Sequence, residues 1–183
     1  LILEWFKKKR ANYFSKKGYE LVGIEVPINY NLPNGVKFIG YMDVVLYNKV
    51  SGRYKIIDIK TSTMGWNKYM KADKNKTDQL LLYKQFYGAE NDISLDKIDV
   101  EYFIVKRKLY EGLDFPQRRI QTFSPASGKP SINKVINNLN QFLEESFVDG
   151  EYNMKHTYIQ RPSKKNCKWC EFNQTEHCDA GVK

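Results

Sequence analysis

The chain has 183 residues, enough for one folded domain with a real core, and its 42% hydrophobic and 14% aromatic content excludes a disordered chain. No apolar run approaches the roughly 18 residues of a bilayer-spanning helix, and the opening Leu1-Ile2-Leu3-Glu4-Trp5 lacks the basic flank and cleavage site of a secretion signal. Lys and Arg number 30 against 21 Asp and Glu, a formal charge of +9, and such a surplus, when clustered, suits a phosphate backbone.

The clusters are Lys7 to Arg10, Lys16-Lys17, Lys106-Arg107-Lys108, Arg118-Arg119 and Lys164-Lys165. Any one of them reads better as a solvated surface; their sum favours nucleic acid. The first residue is not Met, as expected of a fragment of a longer chain. The three cysteines all lie beyond residue 166, too few and too local for a disulfide-stapled secreted fold, and a reducing, cytoplasmic setting is expected.

Residues 1–17 predict one amphipathic helix, with Ile2, Trp5, Phe6, Tyr13 and Phe14 apolar and Gly18 as its stop. Tyr19 to Tyr30 becomes β-like through Leu21, Ile24, Val26 and Ile28, and Pro33-Asn34-Gly35 is a turn, Asn-Gly being a strong hairpin signal. Val36 to Tyr47 predicts a second strand, Asn48 to Arg53 a polar turn with Gly52, and Tyr54 to Lys60 a third strand. A loop or irregular helix is expected through Trp66 and Met70. Thr77 to Tyr87 predicts a helix with Leu80, Leu81, Tyr83 and Phe86 apolar and Gly88 at its end. Val100 to Val105 predicts a strand, Arg119 to Phe123 a fifth, Pro125 to Pro130 a loop, and Ser131 the cap of a helix to about Glu145. The order, roughly αβββαββα, predicts a single mixed α/β domain with a central sheet flanked by helices. Its core would span about 19–123, followed by a C-terminal helix over 131–145 and a Cys-containing tail over 160–183.

Asp58-Ile59-Lys60 is the most informative triplet. Strand alternation puts Asp58 and Lys60 on one face and Ile57 and Ile59 on the other. A carboxylate beside an amine can bind a cation and steer a water. If Tyr47 and Tyr54 flank the second turn, the same register sets Asp43 opposite Asp58. Two opposed carboxylates repel unless something positive stands between them, and a hard divalent cation or Lys60 would serve. A one-residue slip would remove this argument. Ordinary solvated polar residues are the plain alternative. Against it, Asp58 stands among Ile56, Ile57 and Ile59, and Asp43 among Met42, Val44, Val45 and Leu46. Such runs suggest strands buried on both faces, where an unpaired carboxylate is costly. Gln79 and Tyr83, at i and i+4, share a helix face. They suit a phosphate, a metal-bound water or a base, although taken alone they read better as an exposed amide and a core ring packed with Leu80.

Together these residues resemble the PD-(D/E)XK nuclease superfamily and, within it, the RecB-like exonuclease branch. The resemblance rests on Gly40-x-x-Asp43 on a strand, a hairpin, Asp58-Ile59-Lys60 with Thr61 trailing, and Gln79-x-x-x-Tyr83 on a helix, over about residues 20 to 90. It implies a restriction-endonuclease-like α/β core, with Mg²⁺ or Mn²⁺ held by Asp43, Asp58 and the Ile59 carbonyl. Lys60 would orient the attacking water and stabilise charge on the phosphate. Glu25, on the first strand where relatives often carry an acid, would take a supporting role. The implied substrate is DNA, single-stranded or with free ends, cut by an exonuclease in recombination, repair or replication, with a helicase or recombination protein as partner. Many RecB-like members also carry a metal-binding His upstream, whereas the only histidines here are His156 and His177.

Cys167-x-x-Cys170 followed by Cys178 resembles the late part of the iron–sulfur clasp of some RecB-like nucleases, among them CRISPR-adaptation exonucleases and the AddB nuclease domain. This implies a structural 4Fe-4S cluster, although no early Cys is present to complete it. A zinc site using His177 and three unliganded thiols are the alternatives. Against the nuclease expectation stands a catalytically silent nuclease-fold module that binds DNA or assembles a larger complex. A small-molecule enzyme finds no Gly-rich phosphate loop or catalytic triad in its support.

Overall fold

Turn chemistry sets the sheet in the computed structural model of the chain, which describes residues 2–14, 18–110, 112, 114–155 and 160–182. In the first turn, Leu32 N–H donates to Val36 O at 2.9 Å and Gly35 stands at φ 81°, a left-handed conformation that glycine adopts without a Cβ clash. This turn joins β1 (Tyr19–Asn31) to β2 (Lys37–Asn48), antiparallel. In the second, Asn48 Oδ1 accepts from the N–H groups of Val50 at 2.9 Å and Ser51 at 3.1 Å. It leads into β3 (Arg53–Ser62) with Tyr47 opposite Tyr54, the register expected above. β4 (Ile98–Lys106) runs parallel to β3, and β5 (Ile120–Phe123) antiparallel to β4, giving a mixed sheet ordered β1-β2-β3-β4-β5. A parallel neighbour needs a crossover, which α3 (Lys68–Ala72) and α4 (Lys74–Glu90) supply.

Both faces of the sheet centre are covered. On one, Ile56, Tyr102 and Ile104 pack with Leu80, Tyr83 and Phe86 of α4 and with Leu143 of α5 (Lys129–Ser146). On the other, Ile57, Phe103 and Ile120 pack with Trp5 and Phe6 of α1 (Ile2–Lys9) and Tyr13 and Phe14 of α2 (Ala11–Phe14). Full burial of each large apolar side chain contributes ~1.5–3 kcal/mol, so this layer can bear one awkward polar group.

The N-terminal segment departs from expectation. It forms two helices with a turn at Arg10, not one helix. A straight helix would set Phe6 and Phe14 about 12 Å apart along its axis. The turn instead brings Phe6, Tyr13 and Phe14 onto Phe103, with ring centroids 5.8, 5.2 and 5.0 Å away. Lys16 and Lys17 lie outside the described residues. α4 runs past Gly88 to Glu90, because that glycine serves a close approach: a Cβ there would meet Ile93 O at 2.9 Å. α5 begins before Ser131, with Gly128 as its cap and Pro130 in its first turn, where a missing N–H costs nothing. A small hairpin unread in the sequence follows, β6 (Phe147–Val148) and β7 (Glu151–Tyr152), around Asp149 and Gly150 at φ 51° and 81°. The Asp-Gly dipeptide signals it, but two-residue strands are too short to show alternation. The tail carries a short helix, α6 (Lys164–Cys167). No helix among the described residues is long and apolar enough to cross a membrane.

Candidate active site

β3 carries Asp58 into the covered face beneath α4, where it is only 2% exposed. Lys60 Nζ donates to Asp58 Oδ1 at 3.2 Å and lies 2.9 Å from Oδ2, off the line a hydrogen bond needs. Oδ2 is buried without a hydrogen-bond partner. Burial pushes the Asp58 carboxyl above its ordinary range, the Lys60 ammonium pulls it back, and the Asp43 charge adds to the push; the net direction is upward. An acceptor-only oxygen in this position is suited to a cation.

The far side of Lys60 is held by α4. Its Nζ also donates to Gln79 Oε1 at 3.1 Å, and Gln79 Nε2 donates to Tyr83 Oη at 2.9 Å. Asp58, Lys60, Gln79 and Tyr83 thus form one hydrogen-bonded chain from β3 into α4. The i, i+4 spacing read in the sequence is what lets Gln79 and Tyr83 meet. Gly40 makes room for the ring, since a Cβ there would lie 2.7 Å from Tyr83 Cε1. Tyr102, beside Asp58 in the β3/β4 register, donates Oη to Lys76 O at 2.6 Å and ties the start of α4 to the sheet. Burial, and then the Asp58 charge, push its phenol well up, so it stays a neutral donor.

Asp43 approaches from β2. The β2/β3 ladder runs as far as Val44 opposite Ile57, and one more step in that register sets Asp43 opposite Asp58. There the Asp43 carboxylate takes over from the backbone: its Oδ2 accepts from Ile59 N–H at 2.5 Å. On the β1 side, Ile24 pairs with Val44 and Val26 with Met42, leaving Glu25 between them at φ 52°. Asp43, Ile59 and Glu25 line a cleft of about 580 Å³ with Phe6, Arg10 and Phe14. Glu25 belongs to that cleft and not to the hydrogen-bonded chain. Among the described residues no three His, Cys, Asp or Glu side chains converge as a metal-binding group. A cation here would therefore take two carboxylates, with backbone carbonyl and water completing its shell. Such an all-oxygen set fits Mg²⁺ or Mn²⁺.

The cysteines are arranged otherwise. Cys167 is buried at the end of α6, Cys170 is exposed and Cys178 half-buried. Cys170 N–H donates to Cys167 O at 3.2 Å, and Cys178 N–H to Thr175 O at 3.0 Å. His177 Nε2 lies 3.6 Å from Glu176 Oε1, and His156 falls outside the described residues. The three thiols with His177 do not gather into a metal-binding group, so as placed they fit neither an iron–sulfur cluster nor zinc.

The family profile of the PD-(D/E)XK nuclease superfamily matches residues 1–175. The chain belongs to that superfamily. Its mixed five-stranded sheet with flanking helices is the restriction-endonuclease-like α/β fold of PD-(D/E)XK proteins, whose nucleases usually use Mg²⁺ or Mn²⁺. No curated protein matches the chain. The crystal structure of SSO0001 aligns with 100% of this chain and 69% of its own, at 17% identity and a TM-score of 0.48, and adds nothing to the assignment. Two residues beside this candidate site were not read as site residues in the sequence, although Arg10 belongs to a basic cluster. Arg10 reaches the cleft only because the N-terminal helix breaks there, and Tyr102 is set beside Asp58 only by the parallel β3/β4 pairing.

Proposed function

We propose that this PD-(D/E)XK protein is a metal-dependent DNA nuclease of RecB-like type. It would act as an exonuclease on single strands or DNA ends in recombination, repair or replication. The observation that carries the proposal is Asp58: a carboxylate only 2% exposed, paired with an ammonium that Gln79 also holds. Asp43, Asp58 and the Ile59 carbonyl would hold Mg²⁺ or Mn²⁺. The bound ion would supply a lowered water pKa and draw charge from the scissile phosphate. Lys60 offers its remaining donor to the attacking water and to the charge that develops on the phosphate. Gln79 and Tyr83 fix Lys60, so little rearrangement is needed when that charge appears. Glu25 lines the approach beside Asp43. The motif order Gly40-x-x-Asp43, Asp58-x-Lys60, Gln79-x-x-x-Tyr83 supports the RecB-like and exonuclease parts of the reading.

The test is cleavage of end-labelled single- and double-stranded DNA with Mg²⁺ or Mn²⁺, beside an Asp58→Ala control. Metal-dependent degradation, absent in the control and shortening products from their ends, is expected. Internal fragments appearing first would overturn the exonuclease part. DNA binding without cleavage in either metal would overturn the catalytic reading and favour a silent DNA-binding module.

A further inference from the structure

The segment that leaves β3 after Lys60 is held rigidly and carries little acid. Ser62 Oγ bonds both Gly65 N–H, at 3.2 Å, and Gly65 O, at 3.0 Å. Gln121 then brackets Trp66, with Oε1 accepting from its N–H at 2.7 Å and Nε2 donating to its O at 3.0 Å. Asn67 Oδ1 caps α3, accepting from the N–H groups of Tyr69 and Met70 at 3.0 Å each. From Lys60 to Lys76 the only acidic residue is Asp73, against Lys60, Lys68, Lys71, Lys74 and Lys76.

The exit of β4 adds more positive charge at the same edge. Arg107 N–H donates to Ser62 O at 2.8 Å, Lys108 N–H to Thr63 O at 2.9 Å, and Arg107 Nη2 to Thr63 Oγ1 at 2.9 Å. The Lys106-Arg107-Lys108 cluster is thereby fixed beside the segment that follows Lys60. Among the described residues, none of Lys68, Lys71, Lys106, Arg107 and Lys108 forms an ion pair. On this basic surface the ring of Tyr69 stands 73% exposed, with Lys68 Nζ 5.1 Å from its centroid. An exposed aromatic ring on a capped helix, among cations without ion pairs among the described residues, is the composition of a platform for unstacked bases and their phosphates.

We propose that α3 and the β3/β4 exit bind single-stranded nucleic acid on its way past Asp58, with Tyr69 stacking on a base. Lys68, Lys71, Arg107 and Lys108 neutralise the flanking phosphates. Duplex DNA, its bases already stacked, gains from the cations but not from the ring. The proposal rests on the nuclease reading for its direction along the protein, but the surface binds whether or not the site cuts.

The experiment is fluorescence-anisotropy titration of a labelled oligothymidylate and of a duplex of equal length, with EDTA present to separate binding from cleavage. Tyr69→Ala, Tyr69→Phe and the double variant Arg107→Ala/Lys108→Ala are compared with wild type. Tyr69→Ala is expected to weaken single-strand binding about 5- to 150-fold, the range for one stacked base, and to leave duplex binding unchanged. Tyr69→Phe, which keeps the ring, retains wild-type binding. The double variant weakens both ligands and lowers the salt slope by about 1.4 for single strands, two phosphate contacts' worth. Three results would each overturn the proposal: no single-strand binding by wild type, unchanged binding by Tyr69→Ala, or equal losses for both ligands. The expected pattern in a wild-type protein that cuts neither ligand with Mg²⁺ or Mn²⁺ would uphold this surface while refuting the nuclease reading.

Discussion

Replacing the Asp58 carboxylate with an amide keeps the shape of the side chain and removes the charge that burial opposes. The folded-state carboxyl titrates above its ordinary value of 3.8. In that window the folded chain therefore binds more protons than the unfolded one, and stability falls as pH rises through it. Asp58→Asn should accordingly be at least as stable as wild type at neutral pH in metal-free buffer, and its stability should vary less with pH above 3.8. Urea unfolding at a series of pH values measures this; a variant clearly weaker at neutral pH would mean that the Lys60 pairing outweighs the cost of burial. Gly40 makes a second prediction. Its missing Cβ is the space occupied by the Tyr83 ring, so Gly40→Ala should cost about 1–3 kcal/mol by overpacking. Cleavage should fall with it, because a displaced Tyr83 no longer steadies Gln79. Stability equal to wild type in the same unfolding assay would show that the ring can move aside freely.

At the scale of elements, β1 holds a strained point next to the site. Glu25 has left-handed backbone at φ 52°, which costs a residue with a Cβ about 1–2 kcal/mol. Glu25→Gly should therefore leave stability unchanged or raise it by up to about 1 kcal/mol, read from the denaturation midpoint, whereas a marked loss would assign a stabilising contact to the carboxylate. On α4, Lys84 is 6% exposed and donates Nζ to Ser127 O at 2.9 Å and to Ser127 Oγ at 3.3 Å, anchoring the loop before α5. Burial lowers its ammonium from the ordinary 10.5. In that window the unfolded chain binds more protons, so stability rises with pH up to 10.5. Lys84→Met should flatten that rise in alkaline unfolding curves; an unchanged slope would assign it to other groups. Much of this level was legible beforehand. The Asn-Gly turn and the Tyr47/Tyr54 register could be read because turn residues and alternation are local. The helix break at Arg10 could not be read, because its cause is the distant ring of Phe103. Ser131 was a misleading cap signal, since Gly128 and Pro130 already start the helix.

For the whole molecule, the parallel crossover from β3 to β4 is what makes a site out of scattered motifs. It places α4 over β3, so that Gln79 reaches Lys60, and sets Tyr102 beside Asp58. Spacing along the chain named Asp43, Asp58, Lys60, Gln79 and Tyr83, because each lies on a regular element whose facing residues can be counted. The bond from Ile59 N–H to Asp43, the fit of Gly40 under Tyr83 and the cleft shared by Arg10 and Glu25 depend on three-dimensional approach, which spacing does not encode. The cysteine tail shows the reverse: a spacing that suggested a cluster belongs to side chains that do not converge among the described residues.

In the proposed function Asp43 and Asp58 seat a divalent cation. Calorimetric titration of Mn²⁺ into wild type, Asp58→Asn and Asp43→Asn tests it most directly, because it needs no substrate and no cleavage. A single binding event is expected in wild type, weakened at least about 10-fold in each variant, since even supporting groups around a metal commonly matter that much. Absence of binding in wild type, or equal affinity in all three proteins, would contradict it.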